Sequence, residues 1–222
     1  MNNRKIAFIT CVNDKKAYEE CLFYIENLYV PDGYEIETIE INYATSITSG
    51  YNEAIDKSDA KYKVYLHQDV LIVNKNFIKE IVSIFSKDSN IGMLGVVGSK
   101  DLHNSGIWWK SPHKVGTLYE SIVKLKIVDY GNEYDIDEVL AIDGCIMITQ
   151  YDVRWNEEVF DGWHFYDISQ CMEFRRKGYK VCVPKQERIL CLHDCGIAGT
   201  DYYERYRKKF LQYYNGDLNL LQ

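Results

Sequence analysis

Short apolar runs alternate with amphipathic stretches through the first hundred residues. Residues 5–11 (KIAFITC) form an apolar run closed by Val12-Asn13-Asp14, the pattern of a buried strand and a polar turn. Residues 15–29 then place Tyr18, Cys21, Leu22, Tyr24, Ile25 and Leu28 close to helical spacing, and Pro31-Asp32-Gly33 marks a turn. Residues 34–41 (YEIETIEI) alternate strictly, so they predict a strand with one wet face. The opening is β-α-β, which favours parallel strands joined by a right-handed crossover.

The same reading carries on along the chain. Caps and helix formers over 45–56 predict a helix beginning near Ser46–Ser49, and 63–66 (KVYL) is a strand running into His67-Gln68-Asp69. A helix over 76–85 and a buried strand over 91–98 follow. Residues 99–140 are less regular, with Trp108-Trp109 and strands expected over 115–123 and 126–130. An apolar strand over 141–149 encloses Asp143-Gly144. A helix over 167–177 ends at Gly178, a residue suited to the left-handed position after a helix. Strands over 180–184 and 189–192 and a helix over 201–214 complete the chain. There are no repeats and no linker, so the expected organisation is a single α/β domain over 1–200. Its sheet should be mixed and mainly parallel, flanked by helices, and 201–222 should supply a C-terminal helix that packs on the domain or in an oligomer contact.

Composition narrows the function. The 222 residues are 46% hydrophobic and 27% charged, a globular balance. Lys and Arg number 26 against 33 Asp and Glu, a net charge of -7, which argues against a nucleic-acid partner. Seven scattered cysteines, an odd number mostly inside apolar runs, read as buried hydrophobes in a reducing compartment. No apolar stretch approaches the ~18 residues of a membrane span, so a cytoplasmic protein is expected. The 19 Tyr and four Trp suit sugar or base stacking, but coding bias and ordinary core packing are the plainer explanation.

Four clusters could carry chemistry. His67-x-Asp69 closes a strand, where positions i and i+2 point to one side and could meet one metal ion; a solvated turn is the plainer reading. His193-Asp194 also follows an apolar strand and could complete that site. Cys191-x-His193-x-Cys195 is a poor zinc motif, because alternate residues on a strand step ~6.6 Å apart. Asp167 opens a helix, where a carboxylate is a favoured cap, the plainer reading; the same geometry would also hold a general base rigidly. Around Gly50, Ser49-Gly50-Tyr51-Asn52 could let a phosphate approach a helix N-terminus, and there is no G-x-G-x-x-G, P-loop or G-x-S-x-G.

In order and spacing these pieces resemble glycosyltransferase family 2, with the GT-A fold, and more narrowly its short bacterial glycosyltransferase-like branch. The resemblance spans about residues 4–196. It rests on SGYNEAIDKSDAKYKVYLHQDVLI (49–72), AIDGCIMITQYDV (141–153) and FDGWHFYDISQCMEFRRKGYKVCVPKQE (160–187). It implies an inverting, metal-dependent transferase that moves a sugar from a nucleotide-diphosphate donor, a UDP-sugar first, to a glycan or lipid-linked hydroxyl acceptor. Asp69 and His193 would hold Mn²⁺ or Mg²⁺. His67 stands where the family's D-x-D motif has its first Asp, as a further ligand or a sugar contact. Asp167 would be the catalytic base, with Tyr166 in place of the usual Glu. The resemblance assigns the donor to Thr10, Val12, Asn13, Gly50, Asn52 and Gln68. It assigns the acceptor to Asp143, Gly144, Asp161, Trp163 and His164. The family's D-D-G-S turn after the second strand is missing; the chain runs instead through Asn42-Tyr43-Ala44-Thr45. Two rivals are a degenerate fold that binds nucleotide sugar or glycan without transfer, and a metal-dependent hydrolase using His67, Asp69, His193 and Asp194. The aromatic and basic C-terminal helix suits packing on the domain, a homodimer contact or peripheral attachment at the inner membrane face.

Overall fold

A computed structural model describes residues 1–197, 199 and 201–220. The elements run β1 (Asn2–Val12), α1 (Lys15–Glu26), β2 (Glu35–Asn42), α2 (Ile47–Lys57), β3 (Ala60–Leu66), β4 (Val70–Ile72), α3 (Phe77–Lys87), β5 (Ile91–Leu94) and β6 (Val97–Ser99). After a 3-10 turn at Trp108–Lys110 come β7 (Lys114–Ser121), β8 (Leu125–Gly131), β9 (Ile136–Glu138), β10 (Ala141–Ile142), β11 (Ile146–Thr149) and α4 (Tyr166–Arg176). The chain closes with β12 (Lys180–Pro184), β13 (Cys191–His193), α5 (Tyr203–Tyr213) and α6 (Asn215–Leu220).

Seven strands make the main sheet, in the order β2-β1-β3-β11-β5-β12-β9. β1 is parallel to both neighbours and β12 is parallel to β5, but β11 runs against β3 and β5 and β9 runs against β12. Parallel and antiparallel junctions are therefore equal in number, where the strand–helix alternation predicts a mainly parallel sheet. A second sheet, β10-β6-β7-β13-β4, stands beside the first, with β8 paired to β7. Two long apolar runs split between the sheets. Residues 91–98 divide into β5 and β6, and 141–149 into β10 and β11 around Asp143-Gly144-Cys145. An apolar run says that a segment is buried, not which sheet buries it.

β1 has helices on both sides, which is why its sequence is apolar without alternation. Ile6 and Phe8 face the core shared with α1 and α3, while Ala7 and Ile9 face α2 and α4. Asp14 caps α1 by accepting from the Lys16 and Ala17 N–H groups, and Ser46 caps α2 in a reciprocal box with Ser49. α5 lays Tyr206 and Phe210 into the core beside Tyr214, and no helix among the described residues is long and apolar enough to cross a membrane.

Candidate active site

The carboxyl ends of β1 and β3 lie side by side and open onto a cavity of ≈ 580 Å³, walled by Val12, Asn13, Gln68, Asp69 and Trp163 among others. Open α/β sheets bind ligands in this position. A second cavity of ≈ 200 Å³ adjoins it, walled by Asp143, Gly144, Trp163, His164, Asp167 and His193. His67 and Trp163 line both, so they form the partition.

Three elements supply the partition's polar groups. His67 follows β3 directly, and its N–H is held by the Cys145 carbonyl at 3.0 Å. Asp69 closes the tight turn between β3 and β4, in which the Val70 N–H bonds the His67 carbonyl. β13 pairs antiparallel with β4, which sets His193 opposite Val70. The Asp194 N–H then bonds the Asp69 carbonyl at 2.9 Å and locks the register. Residues 124 positions apart meet as a result. His67 Nδ1 is 3.4 Å from His193 Nε2, and Asp69 Oδ1 is 3.5 Å from His193 Nε2 and 4.0 Å from His67 Nδ1.

This trio has the makings of a divalent-ion site. Asp69 Oδ1 is buried with no hydrogen-bond partner, a costly state for a carboxylate oxygen that an ion would relieve. Ligand atoms around a tetrahedral ion stand ~3.4 Å apart, close to the spacing here. Two imidazoles and one carboxylate suit a first-row divalent ion and leave its other positions open. A second group, Asp143, Cys145 and His193, shares one ligand with the first. Its thiol is the weaker donor, since a hydrogen bond with Cys191 and then burial keep Cys145 protonated. Asp194 is in neither group.

Charge is distributed unevenly across the partition. Burial, and then the neighbouring His193, push His67 down to about 4, so it is neutral at pH 7. Burial would also lower His193, but the carboxylates of Asp69 and Asp143 outweigh it and raise its pKa. Burial would raise Asp69, yet the two imidazoles hold it below the usual carboxylate range. Asp167 goes the other way. Burial and the charge of Asp143 raise it to about 7, although the backbone N–H groups of Ile168, Asp167 and Gly144 pull against the shift. A carboxylate with that pKa in a small cavity is suited to take a proton near neutrality.

The cap of α4 differs from the sequence reading. Phe165, not Asp167, is the N-cap, and it is left-handed at φ 63° with no side-chain cap bond. For a bulky aromatic this conformation is strained, and strain of this kind gathers at functional sites. It turns both Tyr166 and Asp167 toward the partition. Sequence reasoning treats Tyr166 only as a substitution, whereas the fold puts its hydroxyl 2.5 Å from His67 Nε2.

The other assigned residues fall into two sets. Val12, Asn13 and Gln68 face the larger cavity, and Gln68 Oε1 accepts from the Asn13 and Asp14 N–H groups, tying the first loop to the β3 turn. Asp143, Gly144, Trp163 and His164 line the smaller one, where His164 Nε2 donates to the Asp201 carbonyl. Four residues are not on either wall. Thr10 is buried within β1. Gly50 lets α2 press against Cys11, since an added Cβ would sit 2.5 Å from its Sγ. Asn52 is buried and exchanges hydrogen bonds of 3.0 and 2.9 Å with the Trp155 backbone. Asp161 accepts from Tyr206 and Lys209 and so anchors α5. The start of α2 is also engaged, with the Ile47 N–H on the Gly162 carbonyl. Of the Trp pair, Trp108 is buried and Trp109 is half exposed on the smaller cavity. Tyr43 and Ala44, in the segment that replaces the D-D-G-S turn, reach the larger cavity, as does Lys15, which pairs with Glu40.

Comparison with known proteins shows the family and the fold. A model of a glycosyltransferase-like family matches residues 7–214, nearly the whole chain. The chain belongs to this glycosyltransferase-like family. No curated protein sequence matches it significantly. Among solved structures, the mannosyltransferase PcManGT from Pyrobaculum calidifontis, in complex with GDP-Man and Mn²⁺, superposes with a TM-score of 0.55 at 11% identity, covering 99% of this chain and 65% of that one. TarS 1–349 of S. aureus, in complex with UDP, gives 0.51 at 14% identity, covering 93% and 65%. A longer TarS structure gives 0.57 at 13% identity, covering 95% of this chain and 40% of that one. At such identities the likeness is one of fold, and it is the GT-A glycosyltransferase fold. This family member spans just under two thirds of the length of the first two structures.

Proposed function

We propose that this glycosyltransferase-like protein transfers a sugar from a nucleoside-diphosphate donor to a hydroxyl acceptor, with a divalent ion and with inversion at the anomeric carbon. One observation carries the reading: Asp69, His193 and Asp167 converge on the partition between a large and a small cavity. The larger cavity has room for a nucleoside diphosphate along β1 and the β3 turn. The smaller one, rimmed by Trp109, Trp163 and His164, has the aromatic surface and polar edges that suit a sugar acceptor. The GDP-Man and Mn²⁺ of PcManGT and the UDP of TarS 1–349 agree with a nucleotide donor, and the former with a manganese ion.

Asp69 and His193, with His67, would hold the ion, Mn²⁺ or Mg²⁺. When bound, it would neutralise charge developing on the departing diphosphate. Asp167 accepts the proton of the acceptor hydroxyl as that oxygen attacks the anomeric carbon. The glycosidic bond to the diphosphate breaks on the opposite face, and the nucleoside diphosphate leaves with the bonding electrons. Single displacement inverts the configuration. General-base help of this kind contributes about 10²–10⁴-fold. Asp167 and Asp143 form the acidic wall of the acceptor cavity.

The test is a thermal-shift screen of nucleoside diphosphates and their sugars with and without Mn²⁺, followed by a donor-turnover assay. Stabilisation by one nucleotide, strengthened by Mn²⁺, supports the donor site through mass action. Release of nucleoside diphosphate separates a transferase from a fold that only binds. Bound donor without any release, across a panel of glycan and lipid-linked acceptors, would refute transfer.

A further inference from the structure

Two residues set this chain apart from the family pattern it resembles: His67, where an Asp is expected, and Tyr166, where a Glu is expected. They are 99 positions apart, and the fold joins them. His67 Nε2 and the Tyr166 hydroxyl oxygen are 2.5 Å apart, and the same oxygen is 3.2 Å from the Gly144 carbonyl oxygen. Tyr166 is buried, its ring packed edge-on to Tyr51 and tilted against Trp155. Gly144 is fitted to it, since a methyl there would run into the Tyr166 hydroxyl.

The hydrogens of this chain can be assigned by counting. A carbonyl oxygen only accepts, so the single hydroxyl proton of Tyr166 goes to Gly144. The hydroxyl oxygen must then accept from His67, which puts the imidazole proton on Nε2. Nδ1 is left with a bare lone pair, and Nδ1 is the atom that faces His193 Nε2 and Asp69 Oδ1. An outer partner that fixes a ligating histidine's tautomer and ring orientation is how proteins prepare an imidazole for metal.

We propose that Tyr166 is a positioning residue which, relayed to the Gly144 carbonyl, fixes His67 as a metal ligand through Nδ1, so that the site is a two-histidine, one-carboxylate set selecting Mn²⁺ over Mg²⁺. The selectivity follows from donor chemistry: imidazole nitrogen suits first-row transition ions, whereas Mg²⁺ prefers oxygen and keeps its water. The two substitutions are then one change. A carboxylate pair becomes an imidazole held by a phenol, and neither residue does its work without the other. This rests on the metal-dependent reading above, but its first measurement does not.

That measurement is nitrogen NMR of the metal-free full chain with labelled histidine, comparing wild type, Tyr166→Phe and, for assignment, His67→Gln. The expected wild-type signature is a protonated Nε2 and a bare Nδ1 at His67, giving way to mixed tautomers in Tyr166→Phe, which keeps the ring and its packing. Calorimetry with Mn²⁺ and Mg²⁺ follows. Wild type should prefer Mn²⁺, Tyr166→Phe should bind Mn²⁺ about 10–100-fold more weakly, and His67→Asp should bring the two ions toward parity. A proton on Nδ1 in wild type, no Mn²⁺ binding by wild type, or Mn²⁺ affinity in Tyr166→Phe within about threefold of wild type would overturn the proposal. The relay signature and metal selectivity without sugar transfer would uphold it while refuting the transferase reading; transfer without the relay would do the reverse.

Discussion

Replacing Asp167 by Asn should make the protein more stable at alkaline pH while destroying its activity. The folded chain holds the Asp167 proton up to about 7, against an ordinary carboxyl value of 3.8. Between those values the folded state binds more protons than the unfolded one, so stability falls as pH rises, and above the upper value the loss is complete. At about 1.36 kcal/mol per tenfold change in proton affinity, the rise from 3.8 to about 7 sets a ceiling of about 4 kcal/mol. Asp167 is partly exposed to the cavity, and solvent screening reduces this to roughly 1–2 kcal/mol. Asn keeps an oxygen to accept from the Ile168 and Gly144 N–H groups but carries no charge to desolvate or to set against Asp143. For a domain of this size the gain corresponds to about 3–6 °C in melting temperature. The assay is thermal unfolding of both proteins from pH 4 to pH 8.5 with a chelator present. The curves should coincide near pH 4, diverge as wild type loses stability toward pH 7, and run parallel above it. A difference that does not change with pH, or a variant less stable than wild type at pH 8, would refute the account of Asp167 as a carboxylate held at an energetic cost for its chemistry.

Other outcomes follow from the same structure. Transfer by wild type should rise with pH through about 7, as Asp167 loses its proton, and pH-rate profiles measured at saturating donor and metal read this directly. Asp69→Ala should abolish the Mn²⁺-dependent part of nucleoside-diphosphate binding, and unchanged calorimetric affinity would reject Asp69 as a ligand. Asn52→Ala removes both bonds to the Trp155 backbone and should cost about 2–3 kcal/mol in denaturant unfolding; a large loss of nucleotide affinity with unchanged stability would instead return Asn52 to the donor site. Asp152→Ala strands Lys63, which is fully buried and paired to Asp152 at 2.7 Å. It should cost about 3 kcal/mol or more, with Lys63→Met in the same background recovering much of the loss.

Local rules made much of the architecture legible in the chain itself. The β-α-β opening, the capped starts of α1 and α2, the strand leading into His67-Gln68-Asp69 and the stop of α4 at Gly178 all depend on spacing, capping and apolar runs within a dozen residues. Residues 70–72 and 136–138 were not legible as strands, because three-residue strands such as β4 and β9 have too few positions to show a period, and their partners are remote in sequence. Asn52 looks like a loop ligand on its motif, yet its amide is spent on a backbone 103 positions away.

What belongs to the sequence alone is the inventory: the residue types at 67, 69, 143, 166, 167 and 193, the elements that carry them, and the family whose order they follow. Their meaning was decided in three dimensions. The pairing of β13 with β4 brings His193 to Asp69, the break between β10 and β11 sets Gly144 beside Tyr166, and the left-handed Phe165 aims Tyr166 and Asp167 at the same partition. Burial and neighbouring charge together then separate the charge states of two acids and two imidazoles that are ordinary as letters. Periodicity and capping are short-range and are written in neighbouring residues, whereas desolvation and charge coupling depend on which distant groups the folded chain places within a few ångströms.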